Sequence, residues 1–181
     1  ANAKSLKFAS ADLKSDRQVA LMALTSDVGA GDVLSMVNKD LQNDKDLVVQ
    51  AVKVAGESLK DASTHLQGDK DVVTEAVLAN AKALKYARTD LKSDKDVALS
   101  ALKSESNADV VLELVNRDLA DDREVVLEAV KVNPLALKDA SHSLQDDKEI
   151  VRTAVSEDSR AITSASANMK KDVDLLQLLP E

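Results

Sequence analysis

Residues 59–77 read LKDASTHLQGDKDVVTEAV, and residues 137–155 read LKDASHSLQDDKEIVRTAV. At the centre of both is the phrase Leu-x-x-Asp-Lys/Arg, which recurs along the whole chain: LKSDR from Leu13, LQNDK from Leu41, LQGDK from Leu66, LKSDK from Leu91, LADDR from Leu119 and LQDDK from Leu144. A degenerate MKKDV follows from Met169. Successive anchors lie 28, 25, 25, 28, 25 and 25 residues apart. Residues 1–78 align with 79–156 without a gap and are identical at 43 of 78 positions. Chance does not produce this agreement. Self-similarity at such a period is the mark of a stacked-repeat architecture.

Placing the seven units on their anchors shows what each column does. Seven residues before the anchor stand Leu6, Leu34, Leu59, Leu84, Leu112, Leu137 and Ile162; four before it stand Ala9, Val37, Ala62, Ala87, Val115, Ala140 and Ala165. These columns are three apart, a helical step along one face, and predict a helix A of six to eight residues, partly 3₁₀. After the anchor, apolar residues fall at six, seven, ten and eleven, as in Val72, Val73, Ala76 and Val77, or Val125, Val126, Ala129 and Val130. That stripe predicts an amphipathic helix B of roughly ten residues. A strand would need strict alternation, which is missing.

The third residue after the anchor is always Asp: Asp16, Asp44, Asp69, Asp94, Asp122, Asp147 and Asp172. Directly before helix B, a short acceptor side chain can bond the orphan amides of the first turn. Two residues later an acid recurs, with Gln18 the exception, where negative charge suits the positive end of the helix dipole. Helix A carries one start signal, Asn133-Pro134.

A unit of this size cannot bury its apolar face alone, so neighbours must stack. The expected fold is all-α: a right- or left-handed α-solenoid of seven two-helix units of about 25–28 residues, with a 78-residue super-period. Residues 1–181 form one tandem array, read as a segment of a longer protein, because real solenoids need polar caps and Leu175, Leu176, Leu178 and Leu179 make the last helix greasy.

The pattern Leu-Lys-x-Ala-Ser-x-x-Leu-x-x-Asp-Lys-Asp/Glu-Val-Val-x-x-Ala-Val resembles the tandem repeat known as domain of unknown function 4116, most closely at 59–77 and 137–155. The resemblance covers nearly the whole chain. Units two and five depart from it, with VLSMVNKDL and VLELVNRDL placing Val in the Ala column behind a three-residue insertion. The resemblance implies a helical repeat, often in multi-repeat proteins and sometimes beside other domains. It implies no chemistry.

Composition narrows the function classes. Apolar residues make up 44% and charged residues 31%, with Phe8 and Tyr86 the only aromatics, so the core is built of Ala, Val and Leu. Phe8 and Tyr86 occupy equivalent positions and are expected to plug the core between units. Without cysteine there is no disulfide or thiolate metal site. No apolar run is long enough to enter a membrane as a spanning helix. A net charge of −8 excludes a nucleic-acid backbone as partner. The compartment stays open, with an intracellular one, cytoplasmic or other, the expectation.

Polar positions that repeat with the period offer the same groups many times and a unique pocket nowhere, so no enzyme, no cofactor and no metal site is expected. His65 and His142 do not coincide after the 78-residue shift, and Ser63 and Ser141 recur in one column as turn or cap residues. The Asp-Lys-Asp phrase lacks the Gly turn and the final bidentate Glu of a calcium loop. Two features remain for partner binding. One is the Lys column beside helix A: Lys7, Lys60, Lys85 and Lys138. The other is the pair of insertions, 26–32 with Asp27, Val28 and Asp32, and 104–109 with Glu105, Asn107 and Asp109, expected as loops on one edge of the stack. The function expected is a non-catalytic scaffold for protein–protein interaction within a larger protein or complex. The alternatives are a structural spacer or assembly subunit contacting neighbouring subunits, and a cation or ligand binder along the acidic ridges.

Overall fold

The structure, a computed structural model, describes residues 2–26, 28–104 and 108–180. It is helical throughout; among the described residues the sole β pairing is one parallel bridge between Asn2 and Val28. Five units contain three helical segments, not the two that the sequence predicts, and units two and five contain four. The first, segment A, is a six-residue 3₁₀ helix in five units: Ala3–Phe8, Gly56–Asp61, Ala81–Tyr86, Pro134–Asp139 and Ser159–Ser164. The second is a single 3₁₀ turn that opens on the anchor, as in Leu41–Asn43 and Leu66–Gly68; unit one has a short α-helix, Ala11–Ser15, in its place. The third is helix B, as in Lys45–Val54, Lys70–Ala79, Arg123–Val132 and Lys148–Glu157.

The burial pattern is compatible with segment A winding as 3₁₀ and matches helix B as α. In unit three the buried residues of segment A include Gly56 and Leu59, followed by Ala62 at its end. A strict step of three keeps those positions eclipsed along one line at 3.0 residues per turn. In helix B of the same unit, Val72, Val73, Ala76 and Val77 are buried, which is the step of an α-helix. Each buried Val or Leu contributes about 1.5–3 kcal/mol. All seven Asp of the third post-anchor column cap helix B: Asp69, for example, accepts from the amides of Asp71 and Val72 at 3.1 and 3.2 Å.

Every substantial packing of one element on another lies within a unit or between consecutive units. The B helices of units one to six pair in chain order, and one apolar core runs unbroken from Ala3 to Leu175. At each of the six junctions a backbone hydrogen bond also crosses. The amide three before the anchor donates to the carbonyl one after the previous anchor: Asn38 to Lys14, Ser63 to Gln42, Arg88 to Gln67, Asn116 to Lys92, Ser141 to Ala120 and Ser166 to Gln145, all at 2.8–3.0 Å.

The insertions are not simple loops. Ala30–Asp32 forms a 3₁₀ turn that runs into an α-turn, Val33–Met36, and Ala108–Val110 runs likewise into Val111–Leu114. The preceding B helices are shortened to eight residues, Arg17–Leu24 and Lys95–Leu102. Gly29 takes φ 80°, a left-handed conformation open to glycine. Phe8 does not plug the core: it is 87% exposed. Its column, two residues past the buried Leu, turns off the inward line of segment A. Tyr86 is partly covered, because its hydroxyl reaches back to Glu57 of the preceding unit at 3.3 Å.

Candidate functional site

Two edges of the stack carry the polar chemistry. Along the helix B edge, the cation that follows each cap Asp crosses to the next unit and bridges two acids there. Arg17 meets Asp44 and Asp46, Lys45 meets Asp69 and Asp71, and Lys70 meets Asp94 and Asp96. Lys95 meets Asp122 and Glu124, Arg123 meets Asp147 and Glu149, and Lys148 meets Asp172 and Asp174. The contact to the cap Asp is 2.7–3.2 Å throughout. The recurring Asp-Lys-Asp phrase is therefore a ladder, each cation serving the unit ahead of it. The two breaks in the phrase sit at its two ends, Gln18 in place of the second acid and Val173 in place of the cation.

The ladder sets the charge states. Partial burial works against ionisation of Asp69, but the Lys45 ammonium and the Val72 and Asp71 amides outweigh it and hold the carboxyl below the ordinary range. Asp44, Asp94, Asp122 and Asp147 are lowered in the same balance, and Asp172 by Lys148 first. Their hydrogen bonds raise Lys45, Lys70, Lys95 and Lys148. Groups so engaged are supports of the stack. Among the described residues no group of three or more His, Asp or Glu stands together as a metal would require.

On the segment A edge the Lys column divides. Lys85 pairs with Glu57 and Lys138 with Glu113, at 3.3 and 3.2 Å, each reaching to the preceding unit. Lys60 lines a cleft with Lys39, Gln42 and Asp61. Lys7 lines a larger cleft of ≈ 610 Å³ between segments A of units one and two, with Lys4, Phe8, Lys14, Asp32, Ser35 and Met36. Of the insertion residues, Asp32 thus joins Lys7, whereas the Val28 carbonyl accepts from the Ala3 amide at 2.9 Å and the Asp109 carbonyl from the Asn133 side chain at 3.3 Å. Asp27, Glu105 and Asn107 lie outside the described residues. His65 and His142 are exposed.

Two sets of positioning residues escape sequence reasoning, and a third is the Ser column that the sequence reads as turn or cap residues. Eleven before the anchor, Asn2, Asn80, Asn133 and Asp158 cap segment A by accepting from the amide two residues on; Asn133 alone was legible, through its Pro. One after the anchor, a long donor ties off the end of segment A: Gln67 donates to the carbonyls of Leu59, Lys60 and Ala62, and Gln145 to those of Leu137, Lys138 and Ala140. The ammonium groups of Lys14 and Lys92 do the same to Lys7 and Lys85. Finally, Ser63, Ser141 and Ser166 accept the anchor amide while their hydroxyls donate to Asn43, Asp121 and Asp146 of the preceding unit. The recurrence of Gln at 42, 67 and 145 was the available signal for the second set.

An array of units in which short 3₁₀ segments recur between α-helices, joined at every junction by the same bonds, defines a tandem helical-repeat protein. The chain belongs to the family described as domain of unknown function (DUF4116), whose model matches residues 69–119 and 122–170. No curated protein and no solved structure matches it.

Proposed function

We propose that the chain is a non-catalytic α-solenoid, seven units with a 78-residue super-period, that serves as a protein-binding scaffold within a larger protein or complex. The observation that carries this reading is the six-fold recurrence of the Asp-Lys-Asp ladder. The polar groups that repeat are engaged in holding one unit on the next, and they supply no unique constellation for turnover. For the same reason the acidic ridges are a poor cation site, because each cap carboxylate already has a cationic neighbour or its helix amides. Clefts open between units on the segment A edge and between neighbouring B helices alike, and recognition is assigned to the segment A edge because its lysines are not all engaged in the ladder. No helix among the described residues is long and apolar enough to cross a membrane.

A second reading, a spacer or assembly subunit, draws on the apolar side chains exposed towards both ends: Leu13 and Met22 at one, Val173, Leu176 and Leu178 at the other. Affinity capture with the tagged chain, run beside sedimentation of the chain alone, separates the two. The scaffold reading expects a protein that is enriched with bait concentration and displaced by untagged chain. A chain that captures nothing and instead self-associates as its concentration rises overturns it in favour of the spacer.

A further inference from the structure

We infer that the helix B edge carries two docking grooves for a basic, partly apolar helix of another protein, each formed where a shortened B helix meets a full one. They are additional to the segment A edge and do not depend on it. The interior groove lies between units four and five and is lined by Leu99, Leu102, Lys103, Glu124, Glu128 and Val132. A mismatch in length opens it. Helix Lys95–Leu102 stops at the eleventh residue after its anchor, Leu91, whereas Arg123–Val132 runs to the thirteenth after Leu119. The last residues of the longer helix stand beside a neighbour that has already ended, and Val132 is 45% exposed. Whole units lie on both sides of this groove, so its exposure follows from the helix lengths.

The same groove occurs between units one and two. Leu21, Leu24, Thr25, Asp46, Gln50 and Val54 line it, each standing 78 residues before one of the six in the interior groove. Here Arg17–Leu24 ends early beside Lys45–Val54, and Val54 is 51% exposed. Of the ten-residue B helices, those of units two and five carry Val at the thirteenth residue after the anchor. Those of units three and six, which follow a full-length helix, carry Ala79 and Glu157 there. At this column an apolar side chain appears only beside a gap. Charge defines the occupant. The seven cap Asp and the B helices hold sixteen acids and nine cations, −7 of the chain's net −8. Each rung of the ladder sets one cation between two acids and keeps one net negative charge. Asp46 and Glu124, the exposed acids of their rungs, stand in the grooves themselves. The complement is a helix that inserts an apolar side chain and flanks it with Lys or Arg. The interior groove, of ≈ 200 Å³, is smaller than the about 300–1,000 Å³ of a small-ligand pocket and admits side chains presented by a helix.

The test is a fluorescence-anisotropy titration of the chain into a short labelled helical peptide of Ala and Lys with Leu along one face. Peptides with Glu in place of Lys, and with Ser in place of Leu, are the controls. Saturable binding of the Lys–Leu helix alone is expected, and added salt weakens it. Val54→Ser with Val132→Ser should weaken it at least about tenfold, or about 1.4 kcal/mol. Asp46→Asn with Glu124→Gln should also weaken it. Leu78→Ser removes an apolar side chain that is 41% exposed on helix B of unit three but lines neither groove, and should leave binding unchanged. All these side chains are exposed, so the variants should melt with the parent. Absence of saturable binding by the Lys–Leu helix overturns the proposal. So does binding of the Glu–Leu or Lys–Ser helix at equal strength, and so does binding that ignores the paired Val substitutions or is lost with Leu78→Ser instead.

Discussion

Asp69 performs two tasks with one carboxylate, and substitution can take them apart. One oxygen accepts from the amides of Asp71 and Val72; the other receives Lys45 at 2.8 Å. Losing a cap costs about 1 kcal/mol, and an exposed ion pair contributes about 0–1 kcal/mol. Urea unfolding is expected to show Asp69→Ala destabilised by about 1–2 kcal/mol and Asp69→Asn by less than half of that, because the amide oxygen still caps. Asp71→Asn should lie within about 0.5 kcal/mol of the parent, since its carboxylate is mostly in water. Equal losses at Asp69→Asn and Asp69→Ala would assign the stability to the ladder instead of the cap.

Asp61 and Asp139 behave in the opposite sense. Burial pushes both carboxyls up from the ordinary range, against the pull of Lys60 on Asp61 and of Lys138 on Asp139, and one Asp61 oxygen is buried without a hydrogen-bond partner. A folded-state value above the unfolded one means that the charged group destabilises the fold at neutral pH. That penalty is relieved as pH falls through the raised value to the unfolded one, near 3.9. The cap Asp carboxyls, lowered on folding, contribute stability that is present above about 3.9 and lost as pH falls through their depressed values. Asp61→Asn is therefore expected to raise the melting temperature at pH 7, with the gain vanishing by about pH 3. A gain that persists at low pH would trace the effect to packing, not charge.

At the scale of the element, position in the stack decides the worth of a residue as much as its identity. Leu13 and Leu66 are both anchors, yet Leu66 is 2% exposed and Leu13 47%. Leu66→Ala should cost about 2–5 kcal/mol and Leu13→Ala less than about 1 kcal/mol, read from denaturant midpoints. Similar costs at both would mean that the anchor stabilises its own unit and not the junction.

The same distinction separates what the sequence displays from what it conceals. Helix B is legible because its capping Asp and its four-residue apolar step are both local. Segment A is half legible: Leu59 and Ala62 mark the buried line, but a step of three suits an α-helix and a 3₁₀ helix alike, and the separate turn at Leu66–Gly68 leaves no periodicity of its own. The ladder is hidden, since Lys70 stands beside Asp69 and Asp71 in the chain but its partners are Asp94 and Asp96, one unit on. Phe8 and Tyr86 share a column and differ in cover, because Tyr86 has Glu57 of the preceding unit against it. Of the partner-binding candidates, Lys7 and Asp32 come together in one cleft only when two units are stacked.

For the whole molecule, contacts confined to neighbouring units mean that distance along the chain, counted in units, becomes distance in space. The acids two residues after each cap mark this progression on the exposed helix B edge, and the chain has no cysteine, so paired spin labels can be placed there without background. Double electron–electron resonance between cysteines introduced at Asp46 and, in turn, at Asp96, Glu124 and Glu149 measures separations of two, three and four units. With packed helices about 8–10 Å apart, the distance should lengthen by about that increment at each step. A distance that stops growing or shortens between Asp96 and Glu149 would mean that units far apart in sequence close on a common core, and would contradict the stack.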